Sequence, residues 1–383
     1  MKHVLAYLFV ACLFGACLLA ATFTSGNAAA EDIQTTADVA YVVDFQTGAV
    51  LLDKEGEKQI EPASMSKLMT IYLVFEDLKA GKIKLSDSFP VSERAWRTQG
   101  SKMFVELHGQ IKLEDLLQGI IVQSGNDACV VVAEALAGSV EAFAERENKE
   151  AQRMGLTHSH FMNPDGWPDP QHYMTAHDLT ILARHLITDF PEYYHYFSQI
   201  DFTYHGIKQG NRNPLLYKNV NVDGLKTGHA EGPGYGLVAS GERNGRRIIM
   251  VVQGTDSKQS RSDETLQVWE WAFRNFDNYK LAKANAPLVD AKVWLGTQPT
   301  VPLAAASDVV LTLPRGMRDQ VKATAVFDGP LPAPVMPGQT VGKLRIEVPG
   351  MSPTEVPLVT VGAVQQLGTF DRIMAAARYL IHG

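Results

Sequence analysis

The stretch that decides the fold and chemistry of this 383-residue chain is Pro62-Ala63-Ser64-Met65-Ser66-Lys67-Leu68-Met69-Thr70, followed by Ile71-Tyr72-Leu73-Val74-Phe75. A proline ahead of a long apolar run is typical of a helix start. On that helix Ser64 and Lys67 lie three positions apart and share a face. A serine becomes a nucleophile when a nearby base takes its proton, and a lysine of lowered pKa can be that base. By itself, a capping serine with a solvated lysine gives the same pattern.

A second motif follows an apolar segment over residues 113–122. It reads Ser124-Gly125-Asn126, and another apolar run begins at Ala128. A turn between two helices can direct Ser124 and Asn126 into a cleft. An ordinary turn with a helix cap is the alternative.

A third motif lies in the second half of the chain and reads Lys226-Thr227-Gly228-His229. The β-rich runs that follow it are separated by Asn244-Gly245, a strong hairpin signal. Lys226 is therefore predicted on a strand beside that hairpin. Gly228 would let the backbone of a substrate approach the strand closely. An exposed lysine on a surface strand is the alternative.

The order and context of the three motifs are shared by penicillin-binding proteins and class A β-lactamases. From about Asp38 to the C-terminus the chain resembles the serine-type D-alanyl-D-alanine carboxypeptidases, the low-molecular-mass penicillin-binding proteins. The resemblance implies an α+β fold with a penicillin-binding/β-lactamase-like catalytic domain, in which helices flank an antiparallel sheet. It implies a peptidase that removes the terminal D-alanine of peptidoglycan pentapeptide stems and that β-lactam antibiotics inhibit. No cofactor is expected.

The resemblance also implies a role for each motif residue. Ser64 would form the acyl-enzyme, Lys67 would be its base, and Ser124 would help to pass the proton to the leaving amine. Asn126 would orient the peptide, and Lys226 would bind substrate. The backbone N–H groups of Ser64 and His229 would form the oxyanion hole, where each donor is typically worth ~3–4 kcal/mol.

A terminal carboxylate of the substrate would be held by Thr227 and Arg261, the arginine that matches the family's position after the last core strand. A guanidinium fork suits a carboxylate in geometry and charge. A surface arginine at a helix start is the alternative for Arg261. Two positions depart from the family pattern, because Asp165 stands where histidine is common and His177 where arginine is common.

Composition indicates an exported protein. Residues 1–30 combine a basic start, an apolar run and an Ala-rich end, as a secretory signal peptide does, with cleavage predicted after Ala30. A retained membrane helix and a lipoprotein cut before Cys17 are the alternatives. Cleavage would change the formal net charge from −7 to −8, since the leader contains one lysine and no acid. Cys129 would be left alone as a buried structural thiol.

The remaining chain is long for one core, and its character changes near Tyr279. Residues 31–279 are predicted as the catalytic domain. Residues 280–366 contain short β runs broken by proline and glycine, which predicts a small all-β domain. An early hairpin turning at Gln46-Thr47-Gly48 is expected in the catalytic sheet.

The end of the chain, residues 367–383, predicts an amphipathic helix. Its apolar side chains recur at helical spacing, namely Phe370, Ile373, Met374, Ala377, Leu380 and Ile381. Such a stripe fits peripheral attachment to a membrane surface, the mode of anchoring that the resemblance also implies. A helix docked on the protein's own β-domain is the alternative.

Other functions find little support in the residues. No metal-ligand motif is present, and no basic stripe suggests nucleic acid. A β-lactamase would share the three motifs, but the chain lacks the Glu-x-x-Leu-Asn motif of class A enzymes. A degenerate scaffold protein is opposed by the intact motif residues. The sequence thus predicts an exported peptidase at the outer face of the cell membrane.

Overall fold

The computed structural model describes residues 32–382, with side chains described up to residue 375. The predicted signal peptide lies outside the described residues. Nine strands precede residue 257 in this part of the chain, and their bounds are β1 (Val39–Asp44), β2 (Val50–Lys54), β3 (Ser88–Pro90), β4 (Gln110–Lys112), β5 (Asp201–Tyr204), β6 (Ile207–Gly210), β7 (Val222–Ala230), β8 (Gly234–Arg243) and β9 (Arg246–Thr255).

The central sheet is antiparallel and has the strand order β2-β1-β9-β8-β7. Both predicted hairpins belong to it. Asn244 and Gly245 have φ values of 55° and 76° at the β8–β9 turn, the left-handed conformations that a two-residue hairpin favours. Lys226 lies on β7 beside that hairpin, as the sequence predicts. Strand β7 is at the edge of the sheet, so one side of it is free of ladder partners in the sheet.

Helices cover both faces of this sheet. Their bounds are α1 (Lys67–Lys79), α2 (Glu93–Arg97), α3 (Leu113–Ile121), α4 (Asn126–Ala137), α5 (Val140–Met154), α6 (Ala176–Asp189) and α7 (Lys258–Asn275). Short 3₁₀ turns occur at Ala63–Ser66, Tyr194–Ser198 and Pro214–Tyr217. The helices on the two sides bury alternate residues of the strands, as a pleated sheet with two covered faces requires.

The alternation is clear on β1. Val39 and Tyr41 join a large core with α1, α3, α4 and α6, whereas Ala40 and Val42 join a second core against α7. Trp269 of α7 is completely buried in that second core. Truncation of such a residue typically costs ~3–5 kcal/mol of stability. The helices next to the first two motifs therefore pack on one face of the sheet that carries the third motif.

The chain beyond Phe276 is mainly β-structure, in agreement with the expected all-β region. Its elements are β10 (Phe276–Ala282), β11 (Pro287–Trp294), β12 (Thr300–Ala305), β13 (Val309–Pro314), β14 (Lys322–Phe327), β15 (Leu331–Pro332), β16 (Thr340–Glu347), β17 (Thr354–Thr360) and α8 (Thr369–His382), with a 3₁₀ turn at Arg318–Gln320. Strand β10 crosses the predicted boundary at residue 279 and pairs with β13. The exact domain bounds stay predictions.

Candidate active site

The nucleophile motif occupies a 3₁₀ turn, Ala63–Ser66, that leads directly into α1. Ser64 is half-buried, and Lys67 is completely buried at the first position of the helix. The Nζ atom of Lys67 lies 2.7 Å from Ser64 Oγ. It also donates to Asn126 Oδ1 at 2.8 Å and to the backbone carbonyl oxygen of Asp165. All three directions around this amine therefore have an oxygen partner.

Burial lowers the pKa of Lys67 below the ordinary lysine range, because an ammonium ion loses hydration in the protein interior. The positive charge of Arg212 acts in the same direction. Cys129 and the carboxylates of Asp165 and Asp127 oppose the shift. A lysine of lowered pKa can exist as a neutral amine and so can take a proton from Ser64.

Ser124 and Asn126 meet this pair from the turn between α3 and α4. Ser124 has a φ of 60°, a left-handed conformation that typically costs a non-glycine residue ~1–3 kcal/mol and clusters at functional sites. Its Oγ atom accepts a hydrogen bond from Lys226 Nζ at 2.9 Å. Asn126 starts α4 and holds the loop opposite through Nδ2, which donates to the carbonyl of Gln99 at 2.9 Å.

Lys226 projects from β7 and is also buried. Burial, followed by repulsion from Lys67 and Arg212, lowers the pKa of Lys226 well below its usual value. The two lysines and the two serines therefore form two hydrogen-bonded pairs, Ser64 with Lys67 and Ser124 with Lys226. Proton transfer within such pairs needs no histidine.

The packing of the fold requires a glycine at position 228, which the sequence did not predict. A Cβ atom at this position would lie 2.7 Å from the carbonyl oxygen of Pro62 and 3.0 Å from Met65 Cγ. The glycine therefore allows β7 to approach the turn that carries Ser64. The close approach predicted for a substrate backbone stays a prediction.

A cavity of about 500 Å³ opens beside Ser64. Its wall contains these residues: Ser64, Ser101, Ser124, Arg212, Thr227, Gly228, His229, Tyr235, Lys258 and Arg261. A wider groove of about 830 Å³ continues on the other side of Ser64 past Phe104, Asn126 and Trp167. The structure thus brings all nine predicted site residues to one place, either on the cavity wall or in the hydrogen-bond network behind it.

Arg261 is 6% exposed, so it is not a surface arginine. It projects from the first turn of α7, and one Nη donates to the carbonyl of Arg212 at 3.2 Å. Its Nε is buried without a hydrogen-bond partner. Burial lowers the pKa of Arg261 to about 10, so it stays a cation at neutral pH. A guanidinium that lines a cavity and stays a cation fits an anionic ligand.

Sequence reasoning missed several residues of the wall. Tyr235 stacks on His229 with 4.0 Å between ring centroids and is its cross-strand partner on β8. Its position could have been found from the hairpin register. Arg212 also lines the wall and donates to Ser101 Oγ at 2.6 Å. No sequence pattern around this loop arginine predicts its place in the site. The contact of the Asp165 carbonyl with Lys67 could not be predicted from sequence either, because every residue has a backbone carbonyl.

The two positions that depart from the family pattern play different parts. Asp165 lies in the site, where its backbone carbonyl contacts Lys67 and its carboxylate accepts from the N–H of Trp167 at 3.3 Å. His177 does not line the cavity or the groove, and its Nδ1 pairs with Glu57 at 2.7 Å.

The remaining expectations concern thiols and metals. Cys129 is completely buried, as expected, and burial raises the pKa of its thiol. Within residues 32–382, no group of three or more His, Cys, Asp or Glu residues could hold a metal ion.

Comparison with known proteins agrees with this geometry. The family model for D-alanyl-D-alanine carboxypeptidases, peptidase family S11, matches residues 25–257. The chain belongs to this family. The C-terminal domain of penicillin-binding protein 5 matches residues 276–366. The chain is therefore a hydrolase of the peptidase class with the two-part architecture of penicillin-binding protein 5.

Individual relatives cover most of the chain. The D-alanyl-D-alanine carboxypeptidase DacA of Haemophilus influenzae is 38% identical over 89% of this chain and 88% of its own length. The crystal structure of penicillin-binding protein 5 from the same organism covers 88% of this chain and 99% of its own, with a TM-score of 0.79 and 38% identity. Penicillin-binding protein D2 of Listeria monocytogenes, solved with ampicillin, covers 63% of this chain at 26% identity and a TM-score of 0.59.

Proposed function

We propose that this carboxypeptidase removes the terminal D-alanine from peptidoglycan pentapeptide stems through an acyl-enzyme on Ser64. One observation carries the proposal. Lys67 Nζ has two carbonyl oxygens and one hydroxyl oxygen around it, at Asn126, Asp165 and Ser64. A neutral amine has two N–H bonds and one lone pair. If the carbonyls take the two N–H bonds, the lone pair faces the Ser64 hydroxyl.

Acylation follows from that arrangement. Lys67 takes the hydroxyl proton while Ser64 Oγ attacks the carbonyl carbon before the terminal residue. The resulting oxyanion is stabilised by the backbone N–H groups of Ser64 and His229. Collapse of the intermediate breaks the C–N bond. The proton that Lys67 took passes through Ser124, which is hydrogen-bonded to Lys226, to the leaving amine, and Lys67 becomes neutral again. D-Alanine leaves, and the ester remains on Ser64.

Deacylation repeats the chemistry with water. Lys67 takes a proton from the water, the hydroxide attacks the ester carbonyl, and Ser64 recovers its proton as the tetrapeptide carboxylate departs. A β-lactam forms the same ester when its ring opens, but the fragment that would leave stays attached. Penicillin binding therefore uses the same nucleophile.

Substrate specificity is assigned to the cavity on the Arg261 side. The free carboxylate of the terminal residue would lie against Thr227 and the guanidinium of Arg261, which both line this cavity. The wider groove beyond Asn126 would take the rest of the stem peptide. A fixed carboxylate site at one end makes the enzyme a carboxypeptidase, because an internal peptide bond offers no free carboxylate there.

Labelled penicillin tests this function. A stable adduct on Ser64 together with release of D-alanine from pentapeptide supports the carboxypeptidase. Rapid turnover of penicillin would indicate a β-lactamase, and absence of label would indicate a scaffold protein. Mass spectrometry of the adduct identifies the residue.

We propose further that the enzyme acts at the outer face of the cell membrane and is attached there peripherally. The support comes from α8, where Phe370 is 75% and Ile373 63% exposed. Within the described residues, no helix combines the length and apolar character that crossing a membrane requires. An exposed apolar stripe on a terminal helix is suited to lie on a bilayer.

A further inference from the structure

Thr70 lies one turn after Lys67 on α1 and is completely buried. Its Oγ1 atom is 2.8 Å from Oε1 of Glu147 and 2.6 Å from the backbone carbonyl oxygen of Pro164. Glu147 reaches this point from α5, and Pro164 immediately precedes Asp165. One hydroxyl therefore joins the helix of the base, a neighbouring helix, and the loop whose carbonyl contacts Lys67.

The two contacts together determine where the protons lie. A threonine hydroxyl has one proton to donate, and a carbonyl oxygen can only accept. The proton of Thr70 must therefore point at Pro164, because two lone pairs would repel each other at 2.6 Å. The 2.8 Å contact with Glu147 then needs a second proton. An ionised carboxylate has none, whereas a carboxylic acid donates through its O–H group.

We propose that Glu147 is a protonated carboxylic acid in the folded enzyme at neutral pH, and that by donating to Thr70 it positions the loop that holds the catalytic base. The part concerning Lys67 rests on the proposed function. The protonation of Glu147 can be tested without catalysis, so the two can fail separately.

The surroundings of Glu147 favour the neutral form. The side chain is completely buried, and Oε2 has no hydrogen-bond partner in the described part of the chain. Asp165 from the loop and the Cys129 thiol from α4 are the titratable groups that face it. Arg146, its neighbour on α5, is engaged by acidic residues of α1. Burial raises the pKa of Glu147 well above its usual range, although the Thr70 contact opposes this.

The neutral acid fits the task better than an ion would. An isolated carboxylate with a bare oxygen in the interior is strongly disfavoured. A negative charge at Glu147 would also repel Asp165, the loop residue that must stay close to Lys67. As a donor, the acid instead completes the chain from Glu147 through Thr70 to Pro164. The loop carbonyl at Asp165 is thereby kept on the base.

The proposal predicts a dependence of stability on pH. A buried acid with a raised pKa is protonated when folded and ionised when unfolded, so stability falls as pH rises from the unfolded pKa towards the folded one. Glu147→Gln keeps a donor for Thr70 and cannot ionise. The ratio of the unfolding constant of wild type to that of Glu147→Gln should rise by up to about tenfold per pH unit from about pH 5 towards neutral pH. A ratio that does not change with pH overturns the proposal.

Glu145→Gln is the matched control, since it removes an exposed acid from the same helix. It should show no such rise, and a rise equal to that of Glu147→Gln overturns the assignment to Glu147. Infrared difference spectra give an independent measurement on the folded wild type. The carbonyl stretch of a protonated carboxylic acid should be present at neutral pH and absent in Glu147→Gln, and its absence from wild type overturns the proposal.

The positioning role is tested on Thr70. Thr70→Val keeps the shape but loses the hydroxyl, whereas Thr70→Ser retains it. Labelled penicillin should acylate Thr70→Val roughly 10- to 100-fold more slowly than wild type, with an altered pH profile, and Thr70→Ser should restore both. A Thr70→Val enzyme with the wild-type rate and profile overturns the positioning role. If wild type itself is not labelled on Ser64, the proposed function fails, and the infrared result still decides the state of Glu147.

Discussion

The catalytic region and the C-terminal end of the chain differ in where they place polar and apolar side chains. The first buries two amines almost completely, with Lys67 0% and Lys226 2% exposed. The second leaves Phe370 and Ile373 largely exposed on α8. Burying an amine and exposing an apolar group to water both cost free energy. The difference fits the two proposed roles, catalysis in a preorganised site and attachment of α8 to a membrane surface.

The largest effect is expected at the nucleophile, which tests whether the buried amines serve catalysis. Ser64→Ala should abolish peptidase activity and penicillin labelling, a loss of roughly four orders of magnitude or more, while the fold is retained. Lys67→Ala should do nearly the same, because it removes the base. Assays of D-alanine release measure the peptidase activity, and mass spectrometry of penicillin-treated protein measures the labelling. An adduct on any other residue would contradict the assignment.

A smaller loss, confined to one class of substrate, is expected at the carboxylate site. Arg261→Gln should reduce kcat/KM for peptides with a free C-terminal carboxylate by roughly 100-fold, because a hydrogen bond to a charged group typically contributes about that factor to binding. Peptides with a C-terminal amide serve as the control and should lose much less. Equal losses on both substrates would show that the buried guanidinium is structural.

A shift along the pH axis is expected from the cations around Lys67. The acylation rate should rise with pH as Lys67 loses its proton and level off above its folded pKa, which burial places below the usual lysine range. Arg212→Gln removes a cation that lowers this pKa, so the rise should move to higher pH. Penicillin acylation measured across pH checks it.

Lys258→Gln is the matched control for that shift, since it removes another basic residue of the cavity wall that is not among the main causes of the lowered pKa of Lys67. In this variant the acylation rate should rise over the same pH range as in wild type. A shift of the same size for both variants would mean that general charge, rather than Arg212, sets the pH dependence.

Changes in α8 should have the smallest effect on hydrolysis. They should have the largest effect on whether the enzyme fractionates with the membrane. Deleting residues 367–383 should release the exported enzyme into the soluble fraction and leave hydrolysis of a small soluble peptide unchanged. Ile373→Glu should weaken membrane attachment in the same direction, because it places a charge among exposed apolar side chains. Membrane fractionation and peptide assays measure the two properties.

Leu288→Glu provides a control at an exposed apolar residue of β11, far from α8 in sequence. It should leave fractionation unchanged. A truncated protein that stays on the membrane like the full-length one would refute the anchor, and α8 would then be assigned to packing on the protein itself.

Much of the architecture is encoded locally. The Asn244-Gly245 turn, the apolar run after Ser64 and the short β runs beyond Phe276 each predict their element, because turn chemistry and side-chain periodicity act between near neighbours. Helical spacing places Ser64 and Lys67 on one face, and the family resemblance makes them a nucleophile and its base. The membership of the other motif residues in one site follows from the family resemblance.

What the sequence by itself determined is therefore the family, the residues proposed as nucleophile and base, and the elements that carry them. Only the tertiary structure decided their surroundings. The carbonyl of Asp165, the guanidinium of Arg212 and the acid of Glu147 come from elements distant in the chain, and none has a local pattern that marks it. Their contributions depend on distance and burial, and these quantities exist only once the chain has folded.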